Sequence, residues 1–242
     1  MDFLLRALQV LPRADWLALA AFVVGWVGYV QFARRRGLTR RSVLGSTNRI
    51  REVWMLESTR REVRIVDSQV LQNLSSAPSF FASTTIFVIG GLAAALGATD
   101  KTTEFMQELP FAARTSALVM DLKLLLLLGV YVHAFFRFTW AMRQYTFGAL
   151  MIGAAPDRDV FAADEAARLA YAHRAARVMG LAAETFNDGL RAIYFGFAAL
   201  LWFLSPLAMV AGTTGVIWVL YQREFHSELL AVLADEPAPP GP

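Results

Sequence analysis

Long apolar runs separated by arginine-rich connections constrain this chain more than any other feature. The runs cover about 16–32, 79–98, 115–136 and 192–221. Each reaches the ~17–25 residues that an α-helix needs to cross a bilayer. In lipid every backbone polar group must be satisfied within the segment, so runs of this length read as helices. The chain is 56% apolar and 18% charged, against about 45–50% and 25% in soluble domains. The expectation is an all-α, polytopic membrane protein. It has four transmembrane helices with helical cytoplasmic extensions, forming one membrane domain over 1–236 with a proline-rich tail at 237–242. The first run follows Asp2 and lacks a basic stretch before it, so it reads as a retained span rather than a signal peptide.

The basic residues set the orientation. Residues 33–78 hold ten arginines and residues 137–191 hold seven. The other connections and ends hold Arg6, Arg13, Lys101, Arg114 and Arg223. Short cytoplasmic loops carry the lysine and arginine excess, so both long connections are expected inside and both termini outside. Only two of the 23 basic residues are lysine, and alanine is abundant. That bias suits a GC-rich bacterial genome, and hence a bacterial inner membrane. Arg34, Arg35, Arg36, Arg40 and Arg41 follow the first span and are expected to contact anionic lipid headgroups. No aromatic residues interleave with them, which argues against nucleic acid.

Both inner connections carry helical periodicity. Val53, Leu56, Val63, Val66, Val70 and Leu74 recur at threes, fours and sevens, which predicts a helix over 47–74 interrupted on its apolar face by Arg60. Ser75, Ser76 and Pro78 predict a break before the second span. A second helix is expected over 160–186. Its seam of Leu169, Ala172, Ala176, Met179, Ala183 and Phe186 is narrow and alanine-rich, suited to close packing. Glu57–Arg61 and Asp164–Arg168 have the spacing of i,i+4 ion pairs. Pro206 is expected to kink the fourth span, with Ser205 satisfying a freed backbone group.

Several strings, taken in order, resemble one family. They are Ser46-Thr47-Asn48-Arg49-Ile50-Arg51, Ser79-Phe80-Phe81-Ala82-Ser83-Thr84-Thr85, Asp121-Leu122-Lys123, Phe135-Phe136-Arg137-Phe138-Thr139-Trp140, Arg143-Gln144-Tyr145, and Phe186-Asn187-Asp188-Gly189-Leu190-Arg191 with Tyr194-Phe195. The chain resembles the domain-of-unknown-function 599 family of bacterial and plant membrane proteins over roughly residues 10–230. The resemblance implies the four-span architecture and brings no activity with it.

The candidate chemistry is sparse. There is no cysteine and there are three histidines, which excludes disulfides and thiolate sites and leaves little for zinc or haem. HExxH, P-loop, dinucleotide-binding and GxSxG motifs are absent. No cofactor and no enzymatic activity is expected. Asp121 and Lys123 lie within the third span, where a charge costs about 2.5–3.5 kcal/mol on insertion scales. They stand about 200° apart around the helix, so neither neutralises the other directly. With His133 they are the candidates for an ion path. A second set gathers at the inner ends of the spans: Ser83, Thr84, Arg137, Asn187, Asp188 and Arg191. Their joint depth suits a cytoplasmic mouth that binds an anion or a headgroup; capping and interhelical bonding explain each one singly. Gly90, Ala94 and Ala98 form a small-xxx-small row suited to close helix contact, within the subunit or between subunits. The expected function is a homo-oligomeric channel or transporter-like protein for ions or small polar solutes, because four spans are few for a monomeric transporter. The alternative is a non-catalytic accessory or scaffold subunit of a larger inner-membrane complex.

Overall fold

A computed structural model describes residues 11–39, 42–99, 101–102, 104 and 116–234. Among them every regular element is helical: α1 (Arg13–Thr39), α2 (Val43–Ser58), α3 (Ile65–Gly97), α4 (Ala117–Gly153), α5 (Arg158–Ala163), α6 (Glu165–Leu200), a 3₁₀ turn (Leu201–Phe203), α7 (Pro206–Phe225) and α8 (Glu228–Ala234). Three of these, α1, α3 and α4, are long and apolar enough to cross a membrane.

The described residues form two compact units. One, here the apolar unit, draws on Met1–Ala33, Ser83–Phe135 and Gly189–Leu220. The other, the arginine-rich unit, draws on Arg34–Ala82, Phe136–Asp188 and Tyr221–Pro242. Helices α1, α3, α4, α6 and α7 each contribute residues to both.

The apolar unit packs α1, α4, α6 and α7 around Phe22, Leu127, Ala134, Phe195 and Met209, all essentially inaccessible. The Phe22 and Phe195 rings meet edge to face at 6.0 Å, and Trp26 stacks on Phe195 at 5.8 Å. Gly25 lets α1 approach α7, since a β-carbon there would meet Thr213 at 3.0 Å and Ile217 at 3.2 Å. The expected single helix over 192–221 is corrected to two. The chain leaves α6 at Leu200, tightens into the 3₁₀ turn and restarts at Pro206. Proline has no N–H to give and a preset φ, so it suits the first position of a new helix better than the interior of an old one. The Ala208 amide donates to Ser205 Oγ at 3.0 Å, so the serine caps α7.

The arginine-rich unit is held by the alanine seam. Ala172, Ala175, Ala176, Met179 and Ala182 of α6 form one buried cluster with Met55, Leu71, Tyr145 and Ile152. Small residues let the helices close in, as the periodicity predicts. The expected 47–74 helix does break, but at residues 59–64 rather than at Ser75–Pro78. There the Ser58 and Thr59 hydroxyls donate to the carbonyls of Met55 and Leu56 at 2.8 and 2.6 Å, competing with helix continuation. Arg64 then ties the turn to the α4–α5 connection, donating to the Ala155 and Pro156 carbonyls at 2.9 and 2.7 Å. Pro78 lies inside α3 without ending it. Ser75 and Ser76 do not cap a helix; they donate back to Gln72 and Asn73.

Neither expected i,i+4 pair forms. Glu57 binds Arg60, and Arg61 binds Asp67 instead. Asp164 caps α6 by accepting the Ala167 amide at 2.9 Å, and Arg168 turns to Glu165. The buried Arg168 guanidinium also donates to Leu56 O at 3.3 Å and Thr59 Oγ1 at 3.0 Å, closing the C-terminal end of α2. Its hydrogen bond holds the Glu165 carboxyl below the usual carboxylate range. The other end of α2 is closed from far along the chain. Ser42 Oγ accepts the Gly45 amide, and Glu224 Oε1 accepts the Leu44 amide at 3.1 Å. Helix α8 also packs on α2. The C-terminal segment therefore packs within the arginine-rich unit.

Candidate functional site

The apolar unit encloses a charged centre built from two helices and a turn. Lys123 of α4 is 2% exposed, and its Nζ lies over the Trp202 and Phe203 rings at 5.7 and 5.8 Å from their centroids. The Trp202 indole N–H donates to Asp15 Oδ1 at 2.6 Å, and Asp15 is the carboxylate whose charge acts on Lys123. Asp15, in the first turn of α1, is itself buried. The break after α6 is what turns Trp202 and Phe203 toward the lysine. A buried ammonium is tolerable only with a countercharge or π-faces around it; here the two rings face it directly, and the Asp15 charge acts from beyond ion-pair distance. The carboxylate nearest to Lys123 in effect is Asp15 on α1, which the periodicity did not single out. An acidic residue in the first turn of an apolar helix favours the helix dipole and was readable only as that.

Asp121 stands apart from this centre. It is half-buried, and its Oδ1 accepts the Thr99 hydroxyl at 2.6 Å. Thr99 closes the far end of α3, next to the exposed Ala98. His133 is exposed and lies edge-on to Trp26 at 5.5 Å.

The inner-end set separates between the two units. Arg137 and Asp188 belong to the arginine-rich unit and are ion-paired to each other. Asp188 is 5% exposed, and the same carboxylate oxygen also takes Arg34. Asn187, its neighbour, is half-buried. Ser83 and Thr84, both exposed, and the buried Arg191 belong to the apolar unit. The carboxylate between two guanidiniums is a charge-assisted triplet from α1, α4 and α6. It commits donors of Arg137 and of Arg34, whose side chain stays 54% exposed. Arg35 and Arg36 follow Arg34 on α1; Arg40 and Arg41 lie outside the described residues. Sequence reading missed Arg34 as a partner because its place in an arginine run reads as a topology signal.

In each unit a buried carboxylate is met by hydrogen-bond donors of the same subunit. Among the described residues no group of three histidine or acidic side chains is placed to hold a metal ion. The family profile described as "Protein of unknown function, DUF599" matches residues 17–229. The chain belongs to the DUF599 family. No curated protein and no solved structure matches it. The DUF599 match spans both units, so the Asp15–Trp202–Lys123 centre is covered only in part, with Asp15 just before its first residue, while the Arg34–Asp188–Arg137 triplet lies inside it.

Proposed function

We propose that this DUF599 protein is a subunit of a homo-oligomeric membrane channel or transporter-like assembly that passes ions or small polar solutes between subunits. The face of α3 carries the reading. Only 11% of the apolar stretch of this helix is buried. A β-carbon added at Gly90, Gly91 or Gly97 would meet nothing within 4 Å. Among the described residues nothing packs against Gly90, and Ala94 and Ala98 are exposed; such rows let helices from separate chains approach closely. The Asp121–Thr99 contact borders the same face, placing a carboxylate where a second copy would meet the first. A charge in an apolar span is tolerated where it meets water or a partner.

In this proposal α6 and α7, parted by the turn, each cross once in addition to α1, α3 and α4, the three helices that are themselves long and apolar enough to do so, which puts the N-terminus outside and the C-terminus inside a bacterial inner membrane. Residues 221–234 then join the arginine-rich connections, and Arg223 adds to their excess. A second reading, a non-catalytic accessory subunit, is favoured by the closed Asp15–Trp202–Lys123 centre, which offers no ionisable group to a path through one subunit. Mass measurement in nanodiscs decides between partners: copies of one chain support the proposal, and stoichiometric foreign subunits support the second reading. In liposomes Asp121→Asn should alter ion flux with the oligomer intact; unchanged flux removes Asp121 from the path.

A further inference from the structure

We infer that the groove between α2 and α6 in the arginine-rich unit binds a phosphate group. Four positions of α2 line it at i, i+3, i+4 and i+7, from Gly45 through Asn48 and Arg49 to Glu52. Four of α6 do so with the same spacing, from His173 through Ala176 and Arg177 to Gly180. The two faces run in opposite directions. His173 Nδ1 meets Glu52 Oε1 at 2.6 Å at one end. At the other, Gly180 leaves space beside Asn48, where a β-carbon would meet Asn48 Oδ1 at 3.2 Å. The cavity is about 230 Å³, below the ~300–1,000 Å³ of drug-sized sites.

Its chemistry is that of an anion receptor. Arg177 makes no hydrogen bond or ion pair among the described residues, and Arg49 makes one bond, to Ser46 Oγ at 3.1 Å. Asn48 Oδ1 accepts from Arg51 at 2.8 Å, which leaves the Asn48 amide nitrogen as a donor. The one carboxylate lining the groove, Glu52, meets His173 Nδ1 through a single oxygen at the far end from Asn48. Two guanidiniums and an amide donor outnumber that carboxylate and match the oxygens of a phosphate, which arginine takes in bidentate fashion. The Arg34–Asp188–Arg137 triplet is the contrast, since there the carboxylate already fills the place of the anion. The inference is independent of whether the chain forms a pore.

The phosphate could belong to a soluble anion or to a lipid headgroup, and one experiment separates them. The full chain is placed in nanodiscs of phosphatidylcholine alone or with phosphatidylglycerol, and inorganic phosphate is titrated at low salt. Wild type should bind in phosphatidylcholine discs, R49Q/R177Q at least tenfold more weakly, and R49K/R177K between the two. Equal binding in both disc types marks a soluble anion; loss of phosphate binding in the anionic discs, restored by salt-independent removal of that lipid, marks a headgroup. Either supports the site. Wild-type binding that is absent in phosphatidylcholine discs, or matched by a folded R49Q/R177Q protein, overturns it. If R49Q/R177Q does not fold, equal affinity of wild type and R49K/G180L, which narrows the groove beside Asn48, does the same.

Discussion

Replacing Asp15 by asparagine tests the charged centre without disturbing its shape. Asn Oδ1 still accepts the Trp202 indole N–H, now 2.6 Å from Asp15 Oδ1, so what is lost is the countercharge of Lys123. Asp15 and Lys123 form no direct ion pair, so the loss is that of a longer-range countercharge to a buried ammonium, roughly 1–3 kcal/mol. Lys123→Met should cost a similar amount, because it removes a desolvated cation from two aromatic faces, each contact worth about 0.5–2 kcal/mol. Removing both charges together leaves no ammonium without its countercharge. D15N/K123M should therefore cost less than the two single changes summed, giving a coupling of roughly 1 kcal/mol or more in the cycle. Against a total stability of about 5–15 kcal/mol, either single change is severe. Unfolding in mixed micelles by denaturant titration, followed by Trp fluorescence and circular dichroism, measures all four proteins. Single effects that add within about 0.5 kcal/mol would refute the reasoning, as would a D15N protein as stable as wild type.

Other perturbations read other contacts. Arg168→Ala strips donors from Leu56 O and Thr59 Oγ1 and should cost about 2–4 kcal/mol, with hydrogen exchange rising first at the end of α2. The Glu165 carboxyl is held below its unfolded value of about 4.3, so its contribution is present above that pH and is lost as pH falls through the folded value; E165Q should flatten the acid limb of the unfolding midpoint between about pH 5 and 3. A β-carbon at Gly148 would meet Met179 Cε at 2.5 Å; because a methionine end is adaptable, Gly148→Ala should cost less than about 1 kcal/mol and Gly148→Val about 1–3, read from the thermal midpoint. A reporter fused after Ala234 should be active on the cytoplasmic side and one inserted at residue 102 on the other; an outside signal after Ala234 would remove the five-crossing topology.

Sequence pattern exposed what is periodic or asymmetric and concealed what depends on a partner. The alanine seam of α6 was legible because close packing demands small residues at regular spacing, whatever they pack against. The break at 59–64 was not, because Ser75, Ser76 and Pro78 look like stronger stop signals than Thr59 and Arg60. A proline forfeits one backbone bond, which α3 absorbs. Two consecutive hydroxyls returning to their own turn, with Arg64 fixing the exit, prove decisive. The run 192–221 concealed two helices because Leu-Trp-Phe-Leu is as apolar as the helices it separates. Lys123 was visible as a buried charge, but Asp15 lies more than a hundred residues earlier and nothing in either neighbourhood points to the other. Arg49 and Arg177 became a pair only when the identical spacing on α2 and α6 was laid face to face.

The tie between Leu44 and Glu224 has a consequence for biosynthesis. The amide that needs the carboxylate leaves the ribosome 180 residues before it. Each unit is assembled from three stretches of chain, and both wait on the last of them. While α4 and α6 are being synthesised, the beginning of α2 has its serine cap but lacks its acidic partner. A nascent chain stalled before Tyr221 would leave that amide and the surface that α8 covers exposed.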